Sequence, residues 1–146
     1  MYKTILFIFI ALMIVACNQK STETIEVSDP WVREAPPNVS MLAGYANITN
    51  NSDEDRVITS AKSKQFKMVE IHKTIVEDGV AKMRRQNNLI IRAGKTLKLK
   101  PGSYHLMLMH PKSALKLNDE VNVTITIKNG DESEDIDIVL PVQKAK

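Results

Sequence analysis

Apolar and polar residues alternate in short runs along most of this 146-residue chain. A period of two is the signature of strands with one buried face, and no long stretch carries a helical period. The pattern predicts strands at residues 43–49, 56–61, 69–76, 80–85, 89–91, 96–99, 104–109, 121–128 and 135–140. Asp29-Pro30-Trp31 and Ala35-Pro36-Pro37-Asn38 read as punctuation ahead of them. Eight or nine short strands at this spacing define an all-β domain, a sandwich or a Greek-key barrel.

Two hairpins follow from turn chemistry. Asn129-Gly130 suits a two-residue type I′ loop. That loop sets Val123 opposite Ile136 and Val121 opposite Ile138, so both strands share an apolar face. Asp78-Gly79 is a second such signal. Its register sets Glu77 opposite Val80 and Thr74 opposite Met83. Paired residues, and residues two apart on a strand, point to one face. His72 therefore shares a face with Thr74 and Met83, and it is a diagonal neighbour of Met83 at about 7–8 Å.

Residues 104–109 (Tyr-His-Leu-Met-Leu-Met) alternate cleanly. Leu106 and Leu108 form the core side, and His105, Met107 and Met109 the other. The chain thus offers His72, Met83, His105 and Met107 as two same-face pairs. Thioether sulfur is soft and neutral and selects Cu(I), which imidazole also binds. Methionine needs no deprotonation and forms no disulfide, so the set suits copper handling outside the cytoplasm. Zinc has little use for two methionines. The plainer reading is that methionine fills cores and that a histidine on a strand is a hydrogen-bonded surface residue. On residue chemistry alone, both readings stand. Met68 reads as core packing, Met109 as an extension or rim of the pair, and His110 as a loop residue. Met41 carries no argument, and Glu70 beside His72 reads as an exposed polar pair.

Composition narrows the field. Lys and Arg number 20 against 17 Asp and Glu, a net charge of +3, which is too weak a balance to indicate nucleic acid. The single cysteine, Cys17, excludes a disulfide framework and a Cys-based zinc site. The apolar run at residues 5–16 is too short to span a membrane and follows Lys3, as in a secretory leader. Ile14-Val15-Ala16-Cys17 resembles a bacterial lipobox. The expected organisation is a leader at 1–16, cleavage before a lipidated Cys17, a polar tether at 17–26 and one folded domain at 27–142.

His72, ten residues, Met83, twenty-one residues, then His105-Leu106-Met107 resembles the H-x10-M-x21-H-x-M signature of the periplasmic copper chaperone PCu(A)C family. Asp29-Pro30-Trp31-Val32-Arg33, Gly44-Tyr45, Glu77-Asp78-Gly79-Val80 and Leu99-Lys100-Pro101-Gly102 extend the likeness over most of residues 27–142. The resemblance implies a cupredoxin-like barrel holding one Cu(I) per domain through His72, Met83, His105 and Met107. It implies a carrier in the periplasm that supplies cytochrome c oxidase assembly. The acceptor would be the Cu(A) subunit or a Sco-type chaperone. The chain is expected to act as a monomer, and no Ser/His/Asp or Cys/His arrangement with recognisable context points to an enzyme. His110 stands where many members carry glycine, and the lipobox would tether this member to a membrane. Two other functions compete. An electron-transfer cupredoxin needs a thiolate ligand, and the only cysteine is Cys17. A metal-free structural lipoprotein leaves the paired His/Met faces without a purpose.

Lipidation at Cys17 has a direct check. Mass spectrometry of the mature N-terminus is expected to show cleavage before residue 17 and a diacylglyceryl thioether. Cys17→Ser is expected to release the protein from membranes, and an intact leader would contradict the assignment.

Overall fold

A computed structural model describes residues 24–36 and 38–145. The leader, Cys17 and the tether as far as residue 23 lie outside the described residues. The described chain is all-β, with ten strands. These are β1 (Ile25–Arg33), β2 (Met41–Asn50), β3 (Arg56–Lys62), β4 (Phe66–Glu77) and β5 (Val80–Arg85), followed by β6 (Leu89–Ile91), β7 (Thr96–Leu99), β8 (Tyr104–Pro111), β9 (Glu120–Asn129) and β10 (Glu132–Gln143). Among the described residues no helix is long and apolar enough to cross a membrane.

The tenth strand is the one the sequence pattern missed. β1 contains Pro30, which removes a ladder hydrogen bond and is confined to edges and bulges. Here the β1–β2 register shifts between Ser28 and Trp31, and Asp29 takes φ 50°. The bulge absorbs the proline, and pairing resumes at Trp31 with Tyr45. β1 starts at Ile25, opposite Asn50, so residues 25 and 26 belong to the strand and not to the tether.

The strands run β4–β8–β7–β2–β1–β10–β9–β3, and β3 returns to β4 through Ala61 and Val69. That pairing closes a barrel of eight strands, and closure removes the exposed edges an open sheet would present. β5 extends from β4 and β6 from β3. Val32, Ile48, Leu106, Leu108, Val121, Ile125 and Leu140 fill the interior. Asn50 is buried beside this core with its polar atoms satisfied. Its Nδ2 donates to the carbonyls of Glu54 and Ile91, and its Oδ1 accepts from the Ser52 N–H and hydroxyl.

The last hairpin differs in register from the expected one. Its two-residue loop is Gly130-Asp131, with Glu132 opposite Asn129. Gly130 has φ 57° and occupies the first central position, as a type II′ turn requires. The two-residue shift keeps the same residues inward. It aligns three apolar pairs where the expected register aligned two: Ile125 with Ile136, Val123 with Ile138 and Val121 with Leu140. On the outer side Thr124 and Thr126 donate to Asp137 and Asp135 at 2.6 and 2.7 Å.

Gly44 faces closely packed core side chains. A Cβ there would meet Leu106 Cβ at 3.3 Å and Leu140 Cδ2 at 3.4 Å. Gly44→Val is expected to destabilise the domain by about 1–3 kcal/mol through overpacking. Urea unfolding with an unchanged m-value is the measurement, and a neutral result would show that β2 and β8 can part freely.

Candidate metal centre

β8 lies inside the sheet, with β4 along one edge and β2 and β7 along the other. Its ladder with β4 sets His105 opposite His72, Met107 opposite Glu70 and Met109 opposite Met68. Leu106 and Leu108 are fully buried, so the residues alternating with them face outward. The Asp78-Gly79 turn has φ 54° and 76°, the paired positive values of a type I′ loop. It sets Glu77 opposite Val80 and Thr74 opposite Met83, as the turn chemistry predicts. Through these two ladders His72, Met83, His105 and Met107 share one outer face.

The four differ in depth. His105 is 3% exposed, His72 and Met107 are half-buried, and Met83 is 58% exposed on the projecting hairpin. The two imidazoles lie with ring centroids 6.0 Å apart and planes at 53°.

Hydrogen bonds determine which ring nitrogens are free. His72 Nε2 donates to Glu70 Oε2 at 2.8 Å, because a carboxylate only accepts. His105 Nδ1 donates to the Ser103 carbonyl at 3.1 Å. That carbonyl also accepts from the Thr74 N–H, so the anchor is itself held. The remaining nitrogens are His72 Nδ1 and His105 Nε2. Both are buried, and neither finds a hydrogen-bond partner among the described residues. Each therefore presents a lone pair with no acid to bind. A partner holding the other nitrogen is the usual arrangement of metal-ligating histidine. Burial pushes the His105 pKa below the ordinary imidazole value, outweighing the opposite effect of the Ser103 carbonyl, and the neighbouring His72 ring lowers it further. Both effects favour the neutral, ligating ring.

Glu70 was not expected to matter beyond an exposed pair. It is largely buried beneath Arg85, whose guanidinium reaches Oε1 at 2.8 Å while Oε2 takes the His72 proton. The available signal was a glutamate two positions before a histidine on one strand face. Its ion pair depends on Arg85, which only the hairpin register brings opposite His72.

Other expectations need correction. Met68 is not core, being 49% exposed. His110, read as a loop residue, lies within β8; it is exposed, has φ 52° and lines a cleft with Ala35, Val39, Lys67 and Leu115, outside the row of His72 and His105. Among the described residues no three His, Cys, Asp or Glu side chains gather as a metal-binding group. The other side chains of metal-binding type on this face are the methionines Met83 and Met107.

The sequence matches the LpqE-like family, whose description names a lipoprotein, over residues 25–142. The chain belongs to the LpqE-like family. A Leifsonia xyli protein named as a lipoprotein, Lxx21020, is 28% identical over 125 residues, covering 85% of this chain and 72% of that protein. The copper-bound PCuAC domain from PmoF2 superposes with a TM-score of 0.68 at 16% identity, over 84% of this chain and 94% of that one. The Cu(I) form of DR1885 from Deinococcus radiodurans superposes with a TM-score of 0.66 at 26% identity, over 88% of this chain and 86% of that one. This LpqE-like chain thus has the cupredoxin-like barrel of PCuAC domains, and its structural neighbours include copper-bound ones.

The tautomers can be read without metal. In the copper-free protein, 15N NMR is expected to show His72 protonated at Nε2 and His105 at Nδ1. His105 is expected to titrate below the ordinary imidazole value of about 6.5. Because its folded pKa is lowered, the unfolded chain takes up this proton first as pH falls. Its contribution to stability is full above the unfolded pKa and declines as pH drops toward the folded one. The opposite tautomer at either ring would remove the free nitrogen argued for here.

Proposed function

We propose that this protein is an extracytoplasmic Cu(I) carrier whose cargo is held by His72, His105, Met107 and Met83. The observation that supports this is the pair of buried, unpartnered nitrogens, His72 Nδ1 and His105 Nε2, on a face otherwise supplied with thioethers. Two neutral imidazoles and two neutral sulfurs suit a soft monovalent ion and offer no net charge to a hard divalent one. The copper-bound state of the PmoF2 domain and the Cu(I) state of DR1885 support the same cargo.

The gradient of exposure suits a carrier better than an electron-transfer site. The histidine end is walled in by strand ladders and hydrogen bonds, while Met83 stands in solvent on a two-strand arm. An incoming ligand from an acceptor can displace Met83 first and the buried ligands afterwards, so copper need never be free. Blue-copper electron transfer requires a cysteine thiolate, and residues 24–145 contain none. The acceptor in this reading is a copper site of cytochrome c oxidase, its Cu(A) centre, or a Sco-type thiol chaperone. The lipid anchor at Cys17 would hold the carrier beside a membrane in the periplasm, consistent with the lipoprotein name of the Leifsonia relative. Binding and release without a covalent step fits a non-enzymatic role.

Anaerobic Cu(I) titration against a competing chelator tests the assignment. Wild type is expected to bind Cu(I) strongly and Zn(II) poorly. Met83→Leu is nearly volume-conserving, with a packing cost below about 1.5 kcal/mol, and is expected to weaken Cu(I) binding at unchanged fold. Glu70→Gln is expected to cost about 10–100-fold in affinity, as loss of an outer-shell partner does. Matched Zn(II) and Cu(I) affinities, or a Met83→Leu variant that binds like wild type, would sink the reading.

A further inference from the structure

Of seven methionines, Met1 and Met13 lie outside the described residues. The other five are Met41, Met68, Met83, Met107 and Met109, and none belongs to the buried core. Methionine is ordinarily core filler, so its complete absence from a core of Leu, Ile and Val needs a reason. The ladders supply one. Met41 pairs with Met109, and Met109 pairs with Met68, so three neighbouring strands carry one methionine each in a single row. Directly opposed residues point to the same face, and Met109 alternates with the buried Leu108. The row therefore lies on the outer face, the one that carries His105 and Met107.

Exposure is the second observation. Met41 is 51% and Met68 49% exposed, with Met109 partly covered between them. Burial cannot explain the choice of methionine at the two outer positions, where a polar residue would be neutral or better. Opposed Cβ atoms on adjacent strands are about 4.5–5.5 Å apart. From that spacing, three flexible side chains can bring their sulfurs around one ion. The next row toward the histidines is Ala43, Met107 and Glu70. Ala43 is short and adds little bulk between the rows.

We infer that Met41, Met109 and Met68 form a second, all-thioether site for a soft monovalent ion, one row from the histidine centre. Three neutral sulfurs bind such an ion without an imidazole or a carboxylate to select anything harder. Met109 and Met107 are two residues apart on β8, about 7 Å along the strand. Cargo can pass from the exposed thioether row to the deeper mixed site over that distance by exchanging one sulfur at a time. The row acts as an entry station, weaker and more open than the site it feeds. That the ion is Cu(I) rests on the function proposed above, whereas the existence of the site rests on the ladders alone.

Full-length protein with 13C-methyl methionine, titrated anaerobically with Cu(I), separates the two sites. The Met83 and Met107 methyls are expected to shift with the first equivalent, and those of Met41, Met68 and Met109 with a second. A Met41→Leu/Met68→Leu/Met109→Leu variant keeps side-chain volume and is expected to lose only the second equivalent. A His72→Ala/His105→Ala variant is expected to keep the shifts of the methionine row. Met68→Leu alone is expected to weaken the second equivalent at least about tenfold, the lower range for even outer-shell changes at metal sites. Saturation of wild type at one equivalent with Met41, Met68 and Met109 unshifted would overturn the second site, as would two equivalents in the triple leucine variant. Wild-type stoichiometry in the histidine variant would instead overturn the histidine centre, leaving the methionine row standing. Methyl shifts in wild type decide the matter even if a multiple variant fails to fold.

Discussion

The pairing of the two histidines depends on the register of one ladder, β4 against β8. The period of a strand is two, so a slip by one residue exchanges its faces. In the observed register Ile71 and Val69 face the core with Leu106 and Leu108, while His72 stands opposite His105 outside. A one-residue slip of β4 would bury an imidazole in a hydrocarbon interior and expose Ile71. The core therefore enforces the pairing of the two histidines, although neither of them contributes to it. β8 is secured on its other edge by β2, and Gly44 permits that approach because it carries no side chain between the strands.

The histidine pair is prepared by groups of ordinary strength. A carboxylate holds one ring and a backbone carbonyl the other, and opposite nitrogens are left free. Two buried, unpartnered acceptors carry a desolvation penalty in the empty protein. The barrel bears that penalty in its stability, and the proposed cargo would relieve it by accepting both lone pairs. Arg85 balances the charge of Glu70, so the surroundings stay close to neutral and do not favour a divalent ion over a monovalent one.

The methionines show how residue chemistry is partitioned between the faces of the sheet. The interior is filled mainly with branched aliphatic residues of well-defined rotamers, and the five methionines among the described residues lie on one outer surface. Rigid ladders carry flexible side chains, an arrangement that keeps the sulfurs adjacent while leaving each free to move. Depth falls from His105 outward to Met83 on the arm and to Met41 and Met68 on the neighbouring strands.

The sequence by itself determined the all-β class, most of the strands, the hairpin at Asp78-Gly79 and the shared face of His72 and Met83. Each of these depends on local rules: turn residues with positive φ and alternation with period two. The spacing of the His and Met positions carried the likeness to PCuAC domains for the same reason, since residue identity and separation are one-dimensional facts. Only the tertiary structure decided the rest. β1 was hidden because Pro30 breaks the strand pattern; its bulge forms against β2, and β10, from the far end of the chain, pairs with β1 at Val32 and Arg33. The last hairpin shifted because alignment of Leu140 with Val121 favours a different two-residue loop. Met68 looked like core because alternation says which residues share a face, but not which face another element covers. The row of Met41, Met109 and Met68 joins residues 41, 109 and 68, and no local pattern can report a pairing among three strands so distant in sequence.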